Sequence, residues 1–132
     1  MKKSAAWGLV CSFAAIAALV SGCAAEVARQ QTQWQPLSTT PAIIEFREAV
    51  TLEPSSGYSR TLNAGSQWRE AGRIPQGQVF RPVNGVLTVE GRHVHEAYIV
   101  LDGGRVVGFY LPVEQSFAAL PPKPVQYQNK GN

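Results

Sequence analysis

Apolar and polar residues alternate over short stretches from Ile43 to Leu111, and turn-forming residues separate these stretches. A period of two is typical of strands with one buried face, whereas a helix would repeat its apolar positions every 3.6 residues. The pattern predicts seven strands, at 43–52, 58–62, 67–74, 79–83, 86–90, 94–101 and 106–111. Short strands at this spacing predict an all-β fold, a small antiparallel sandwich or barrel over residues 43–120.

The clearest predicted element is a hairpin around Gly103 and Gly104. Two consecutive glycines suit a type I′ turn, in which both central residues have positive φ. A two-residue loop would place Asp102 opposite Arg105, an opposite-charge pair that stabilises an antiparallel ladder. The same register would pair Val100 with Val107, Tyr98 with Phe109, Ala97 with Tyr110 and Ile99 with Gly108. Because bulky side chains then occupy both faces, we expect a central hairpin that is covered on two sides.

The segments that flank the predicted domain differ from it in composition. Residues 23–42 are rich in Gln and Thr and contain two prolines, which predicts a flexible tether. Trp34 within it would dock on the domain, lie at the membrane interface or contact a partner. Residues 113–120 fit one or two helical turns. Residues 121–132 begin with a proline-rich run and then become polar, which predicts a disordered tail.

The first 22 residues form a separate segment. Lys2 and Lys3 give it a basic start, and the sixteen residues from Ala5 to Val20 carry no charge. A basic start, a short apolar stretch and then small residues predict a secretory signal peptide. The 132-residue chain is 45% hydrophobic with a net charge of +3, but the two leader lysines carry two of those charges. The mature chain would be nearly neutral, which argues against nucleic acid as a partner.

The tetrapeptide Val20-Ser21-Gly22-Cys23 resembles the lipobox of bacterial lipoproteins. The resemblance implies cleavage before Cys23, a diacylglyceryl group on its thiol and acylation, with palmitate as a typical chain, of the new amino terminus. Two or three acyl chains hold a protein at a membrane almost permanently, because each buried methylene contributes about 0.8 kcal/mol. Ala24 follows, where the family uses Asp for retention at the inner membrane. The resemblance therefore implies an outer-membrane location, facing the periplasm.

An uncleaved membrane helix is the alternative for this segment. It would run from Ala5 to Ala25, which just reaches the roughly 20 residues needed to span a bilayer. The small residues before Cys23 favour cleavage. Cys11 lies in the leader, so a disulfide between the two cysteines would connect nothing within the domain.

The stretch from Asn63 to Leu111 resembles bacterial SH3-like domains. It ends with an aromatic strand, a glycine turn and the strand Gly108-Phe109-Tyr110-Leu111. The resemblance implies an SH3-like barrel within the all-β class. It also implies a module that binds peptidoglycan or its peptide stems.

Residues that could carry chemistry are few. His93 and His95 lie two apart and could reach one metal ion from a strand, with Glu90 or Glu114 completing the site. The chain has no other His and no Cys after Cys23, so metal binding is a lesser alternative. The sequence has no Gly-x-Ser-x-Gly or Ser-x-x-Lys motif, phosphate loop or dinucleotide fingerprint. We therefore expect a protein that is not an enzyme and uses no cofactor.

Arginine and aromatic residues are the mixture found at protein interfaces. The candidate interface residues are Trp34, Trp68, Phe80, Arg81 and Tyr110. Alternatively, the arginines solvate strand faces and pair with Glu45, Glu48, Glu70 and Glu96. The leading hypothesis is a non-catalytic envelope lipoprotein that binds a protein of a secretion, conjugation or exclusion assembly. Peptidoglycan binding is the second hypothesis.

Overall fold

The computed structural model describes residues 26–131, which form thirteen strands and, within that range, no helix. The strands are β1 Gln30–Gln31, β2 Gln35–Pro36, β3 Ile43–Phe46, β4 Val50–Leu52, β5 Arg60–Leu62, β6 Gln67–Ile74, β7 Gly77–Pro82, β8 Thr88–Glu90, β9 Val94–Glu96, β10 Tyr98–Asp102, β11 Arg105–Leu111, β12 Ser116–Pro124 and β13 Tyr127–Gly131. The all-β prediction is confirmed. The predicted signal peptide and Cys23 lie outside the described residues. Between residues 26 and 131 there is no helix with the length and hydrophobicity of a membrane span.

Nine of the strands form one antiparallel sheet. Its order is β1-β12-β11-β10-β7-β6-β3-β13, and β2 pairs with the part of β6 that β3 leaves free. Two small hairpins, β4–β5 and β8–β9, stand apart from this sheet. All the ladders are antiparallel, as the sequence pattern predicts.

One short connection shows that the large sheet is rolled. Only Val125 and Gln126 separate β12 from β13, although five strands lie between these two in the sheet. Neighbouring strands lie about 4.8 Å apart, whereas one residue spans at most about 3.6 Å of extended chain. The two-residue link is therefore possible only if the sheet curves back on itself. The fold is barrel-like but not a closed barrel, since no ladder among the described strands joins β1 to β13.

Both faces of the rolled sheet are buried. The main cluster includes Phe46, Trp68 and Phe109, and the hairpins β4–β5 and β8–β9 add apolar side chains to it. A second, smaller cluster on the other face contains Ile74, Val79, Val100, Tyr110 and Phe117. Each large apolar side chain that is fully buried stabilises the fold by about 1.5–3 kcal/mol. The prediction of a central hairpin covered on two sides is confirmed, because β10 and β11 contribute to both clusters.

The register of this hairpin differs from the predicted one. Gly103 and Gly104 have φ of 58° and 77°, as a type I′ turn requires, and Asp102 pairs with Arg105. Beyond Leu101 the register shifts by one residue, because Val107 bulges out of β11. The observed pairs are Val100 with Gly108, Ile99 with Phe109 and Tyr98 with Tyr110. A bulge of this kind increases local twist, which helps the sheet to roll.

The C-terminal segment is ordered, so the predicted disordered tail is wrong. Residues 116–124 and 127–131 are strands that pair with β11 and β3. Gly108 pairs with Ala119 and Val106 with Lys123, so Val107 alone faces residues 120–122. This irregularity contains Pro121 and Pro122, and bulges are where a sheet tolerates proline.

Four further predictions need correction. Residues 113–120 are not helical: a turn ends at residue 115 and β12 follows, which places Phe117 and Leu120 in different clusters. Two predicted strands are each divided in two: residues 43–52 form β3 and β4 with a bend between them, and residues 94–101 form β9 and the greater part of β10, which belong to different sheets. The described part of the predicted tether is docked on the domain, because β1 and β2 pair with β12 and β6 and Val27 is buried.

Candidate functional site

The structure separates the predicted interface residues into two groups. Trp68 and Phe80 belong to the main cluster and are only 4% and 3% exposed, so they cannot form a contact surface. Trp34 is 36% exposed, and Arg81 is exposed on β7. Tyr110 is buried beneath Trp34. The candidate surface therefore centres on Trp34 and Arg81.

Trp34 is held in place by its neighbours on the sheet. The indole stacks on the Tyr110 ring with centroids 4.8 Å apart and an interplanar angle of 22°. It also lies directly over Gly72 of β6, where a Cβ atom would overlap the ring. The adjoining residue Gln35 pairs with Arg73. Trp34 thus docks on the domain, one of the three alternatives for this residue, and keeps one part of its ring in solvent.

A groove of about 370 Å³ opens beside Trp34, and we call it the arginine–aromatic groove. Its lining residues are Trp34, Leu37, Pro41, Arg69, Glu70, Ala71, Arg81 and Tyr98. The N-terminal segment forms one wall, and strands β6, β7 and β10 form the floor and the other wall. Tyr98 continues the aromatic row, since its ring centroid lies 6.4 Å from that of Tyr110. Burial, followed by the nearby Tyr98 phenol, raises the pKa of Tyr110, which keeps the Tyr110 phenol neutral.

Two arginines face each other across the floor of the groove. Arg69 pairs directly with Arg81 between β6 and β7. Like charges at directly opposed positions destabilise a ladder. Within the described chain neither guanidinium lies within 4.0 Å of a carboxylate oxygen. Glu70 also lines the groove, but its Oε2 accepts a hydrogen bond from Gln78 Nε2 at 3.1 Å. The groove therefore holds two arginines and one glutamate, which leaves a net positive charge, and an anionic ligand would relieve the repulsion between the arginines.

Arg69 and Tyr98 are groove residues that the sequence did not single out. If the register set by the two-residue turn at Pro75 and Gln76 continued unchanged along β6 and β7, Arg69 would lie opposite Pro82. The register shift at Ala71 instead brings Arg69 opposite Arg81. Similarly, Tyr98 reaches this face beside Tyr110 because of the bulge in β11. The sequence shows that several arginines lie on predicted strands. It does not show which of these arginines lie opposite each other in the sheet.

The two histidines, the lesser alternative for metal binding, lie in different surroundings. His95 is 7% exposed, and its Nδ1 lies 2.6 Å from Glu114 Oε1. His93 is exposed and precedes β9, while Glu90 is paired with Arg60 at 2.8 Å. No group of three metal-ligating side chains occurs in the described range. The lesser alternative of metal binding through His93 and His95 therefore has no support from their placement.

The His95–Glu114 pair has its own electrostatic signature. Burial tends to raise the pKa of Glu114, but the hydrogen bonds from His95 and the backbone and the charges of His95 and Arg29 outweigh it. The result is a pKa below the ordinary glutamate value. Two buried atoms of the pair, His95 Nε2 and Glu114 Oε2, have no hydrogen-bond partner within residues 26–131. The pair joins β9 to the turn between β11 and β12.

A larger depression of about 430 Å³ lies near the β5–β6 turn. It is lined by neutral side chains, among them Asn63, Ser66 and Asn84. Trp68 contributes its edge there, and its Nε1 already donates to Ser66 Oγ at 3.0 Å. Size alone would favour this depression, but it holds no charged or titratable lining residue. The arginine–aromatic groove is the better candidate because its charges select a ligand.

Comparison of the chain with protein-family models, with curated proteins and with solved structures found no match. The resemblances to bacterial lipoproteins and to SH3-like domains thus remain predictions from the sequence.

Proposed function

We propose that this protein is a lipid-anchored, periplasm-facing envelope protein that binds an acidic segment of a partner protein and catalyses no reaction. The observation that carries the proposal is the opposed pair Arg69 and Arg81, unpaired with any carboxylate of the described chain, beside the exposed ring of Trp34. The partner would belong to an envelope assembly of the secretion, conjugation or exclusion type.

The chemistry of the groove supports an acidic ligand. Two guanidinium groups can hold a carboxylate through charge-assisted hydrogen bonds, which are roughly twice as strong as neutral ones. Trp, Tyr and Arg are the residues that most often dominate binding energy at protein interfaces. Trp34 and Tyr98 would cover the apolar side chains that flank an acidic residue in the partner. The arrangement therefore fits an extended peptide with alternating acidic and apolar groups.

The anchor in this proposal rests on the signal and lipobox pattern that ends at Cys23. A Cys23→Ser variant should move from the membrane fraction to the soluble periplasmic fraction and lose acyl labelling. A variant that stays in the membrane fraction without acylation would support the uncleaved helix from Ala5 to Ala25 instead.

Charge reversal in the groove tests the binding site. Arg81→Glu should reduce copurification of a defined envelope protein, after crosslinking in intact cells, at least tenfold relative to wild type. Arg92→Glu is the matched control, because Arg92 is exposed on the β8–β9 hairpin and does not line the groove. Equal recovery with both variants would contradict a partner site in the groove.

Peptidoglycan is the competing ligand, because its peptide stems also carry carboxylates that the same arginine pair could hold. Sedimentation with purified murein sacculi separates the two possibilities. If the wild-type protein and Arg92→Glu sediment with sacculi but Arg81→Glu does not, then the ligand of the groove is peptidoglycan and not a protein.

A further inference from the structure

We infer that the folded domain is held directly against the bilayer, with an exposed edge of β12 facing the lipid. This edge, which we call the proline edge, consists of Ala119, Pro121, Pro122 and Lys123, all exposed. The inference rests on the proposed lipidation of Cys23 and goes beyond it, because an anchor on a long tether would leave the domain free to move away.

The length of chain between anchor and domain carries the first step. Val27 is 4% exposed and belongs to the main cluster, so the chain is fixed to the domain at this residue. Cys23 lies only four residues before it. Four residues of extended chain span at most about 14 Å, whereas a domain of about 100 residues is about 35 Å across. The link is therefore shorter than half the diameter of the domain, so the domain cannot move away from the membrane surface.

The direction of the N-terminal segment shows which surface faces the bilayer. Strand β1 runs antiparallel to β12, with Gln31 opposite Ser116 and Gln30 opposite Phe117. Followed backwards from Gln30, the chain runs along β12 toward Leu120. Ala28 and Ala119 indeed line the same shallow depression. The chain thus leaves the domain beside the proline edge, which the short link must bring to the lipid.

The composition of this edge suits a membrane surface. Ala119 and the two prolines are small and apolar, and Lys123 adds a positive charge that anionic headgroups would attract. Lys123 Nζ also donates to the backbone oxygen of Thr51 at 2.6 Å, which fixes the position of this charge. A weak affinity is enough here, because the anchor keeps the edge at a high effective concentration near the lipid.

The same geometry restricts the partner. Trp34 follows Val27 by seven residues, which span at most about 25 Å. Together with the 14 Å link, this places the arginine–aromatic groove within about 40 Å of the bilayer. The acidic segment that binds there must therefore belong to a protein in or close to the same membrane.

Site-specific fluorescence quenching tests this orientation on the full mature, acylated protein. Cleavage would remove Cys11 and acylation would occupy the thiol of Cys23, so an introduced cysteine would be the only free thiol. A fluorophore at Ala119→Cys should be quenched at least threefold more by vesicles with nitroxide-labelled headgroups than one at Val113→Cys. Val113 is the matched control because it is 78% exposed but lies in the turn before β12. Pro122→Cys provides a second position on the proline edge.

A variant with a 20-residue Gly/Ser insertion between Ala25 and Glu26 tests the link itself and should lose the quenching at position 119. Equal quenching at 119 and 113, or quenching at 119 that the insertion leaves unchanged, would overturn the inference. Mass spectrometry of the same samples reports acylation of Cys23. Acylated protein with equal quenching contradicts only the inference, whereas protein without an acyl group contradicts the proposed anchor.

Discussion

At the scale of single residues, His95 and Glu114 pair directly with each other in the structure, whereas the sequence placed them together only as candidate ligands of one metal ion. The two residues are 19 positions apart and come from a small hairpin and a turn. Burial of a charged group costs free energy unless the group is paired, and here each group supplies the partner of the other. The pair therefore fixes the position of the β11–β12 turn relative to β9.

The lowered pKa of Glu114 predicts a loss of stability in acid. A carboxyl group whose pKa is lower in the folded than in the unfolded state binds fewer protons when folded. Its stabilising contribution is thus fully present above the ordinary glutamate pKa and disappears as the pH falls through the lowered value. Urea unfolding of Glu114→Gln at pH 7 should show a loss of about 1–3 kcal/mol, since His95 loses its charged partner.

The matched control for this measurement is Glu96→Gln, because Glu96 is exposed on β9 and has no ion pair within the described chain. The difference in the free energy of unfolding between wild type and Glu114→Gln should decrease as the pH is lowered. A difference that stays constant from neutral to acid pH would mean that the charge of Glu114 contributes nothing.

The contact between Trp34 and Gly72 predicts an energetic coupling. Gly72→Ala should destabilise the fold by about 1–3 kcal/mol, because the new Cβ overlaps the indole ring and overpacking has costs of this size. In a Trp34→Ala background the same substitution should cost clearly less, although the nearby backbone oxygen of Gln35 keeps part of the penalty. A double-mutant cycle by urea unfolding measures this coupling. Strictly additive losses would show that Trp34 does not rest on Gly72 in solution.

At the scale of strands, three register shifts explain which parts of the site the sequence could predict. The positions of the strands and of the Gly103–Gly104 turn follow from local patterns, and most of them are confirmed. The shifts at Ala71, at Val107 and at residues 120–122 leave no comparable local pattern. One of them creates the Arg69–Arg81 pair. The composition of the groove could therefore be predicted in part, but not which side chains meet in it.

The ordered C-terminus gives a prediction at this scale. Truncation after Gln126 removes β13, whose Tyr127 packs against Phe46 with ring centroids 6.5 Å apart. The truncation also removes a hydrogen bond of 2.8 Å from Gln128 Nε2 to Glu45 Oε2. The free energy of unfolding in urea should fall by at least about 2 kcal/mol, the lower end of the cost of deleting a large core side chain. An unchanged value would restore the prediction of a disordered tail.

At the scale of the whole molecule, both ends of the described chain complete the fold. Residues 30–36 connect β12 with β6, and residues 125–131 connect β12 with β3. Both segments are polar or rich in proline, so their composition predicts disorder, whereas their order comes from pairing with distant strands. The all-β class was predictable because alternation is a local property of the sequence. The rolled arrangement was not, because it depends on contacts between residues far apart in the chain.

In this arrangement the N-terminal segment forms one wall of the groove that we propose binds a partner. Photo-crosslinking in intact cells tests it most directly, with a photoreactive amino acid at Leu37, which lines the groove, and at Val113 as a control outside it. We expect a discrete adduct with one envelope protein from position 37, absent from position 113 and lost when Arg81→Glu is added. No adduct at position 37, or one that Arg81→Glu leaves unchanged, would contradict it.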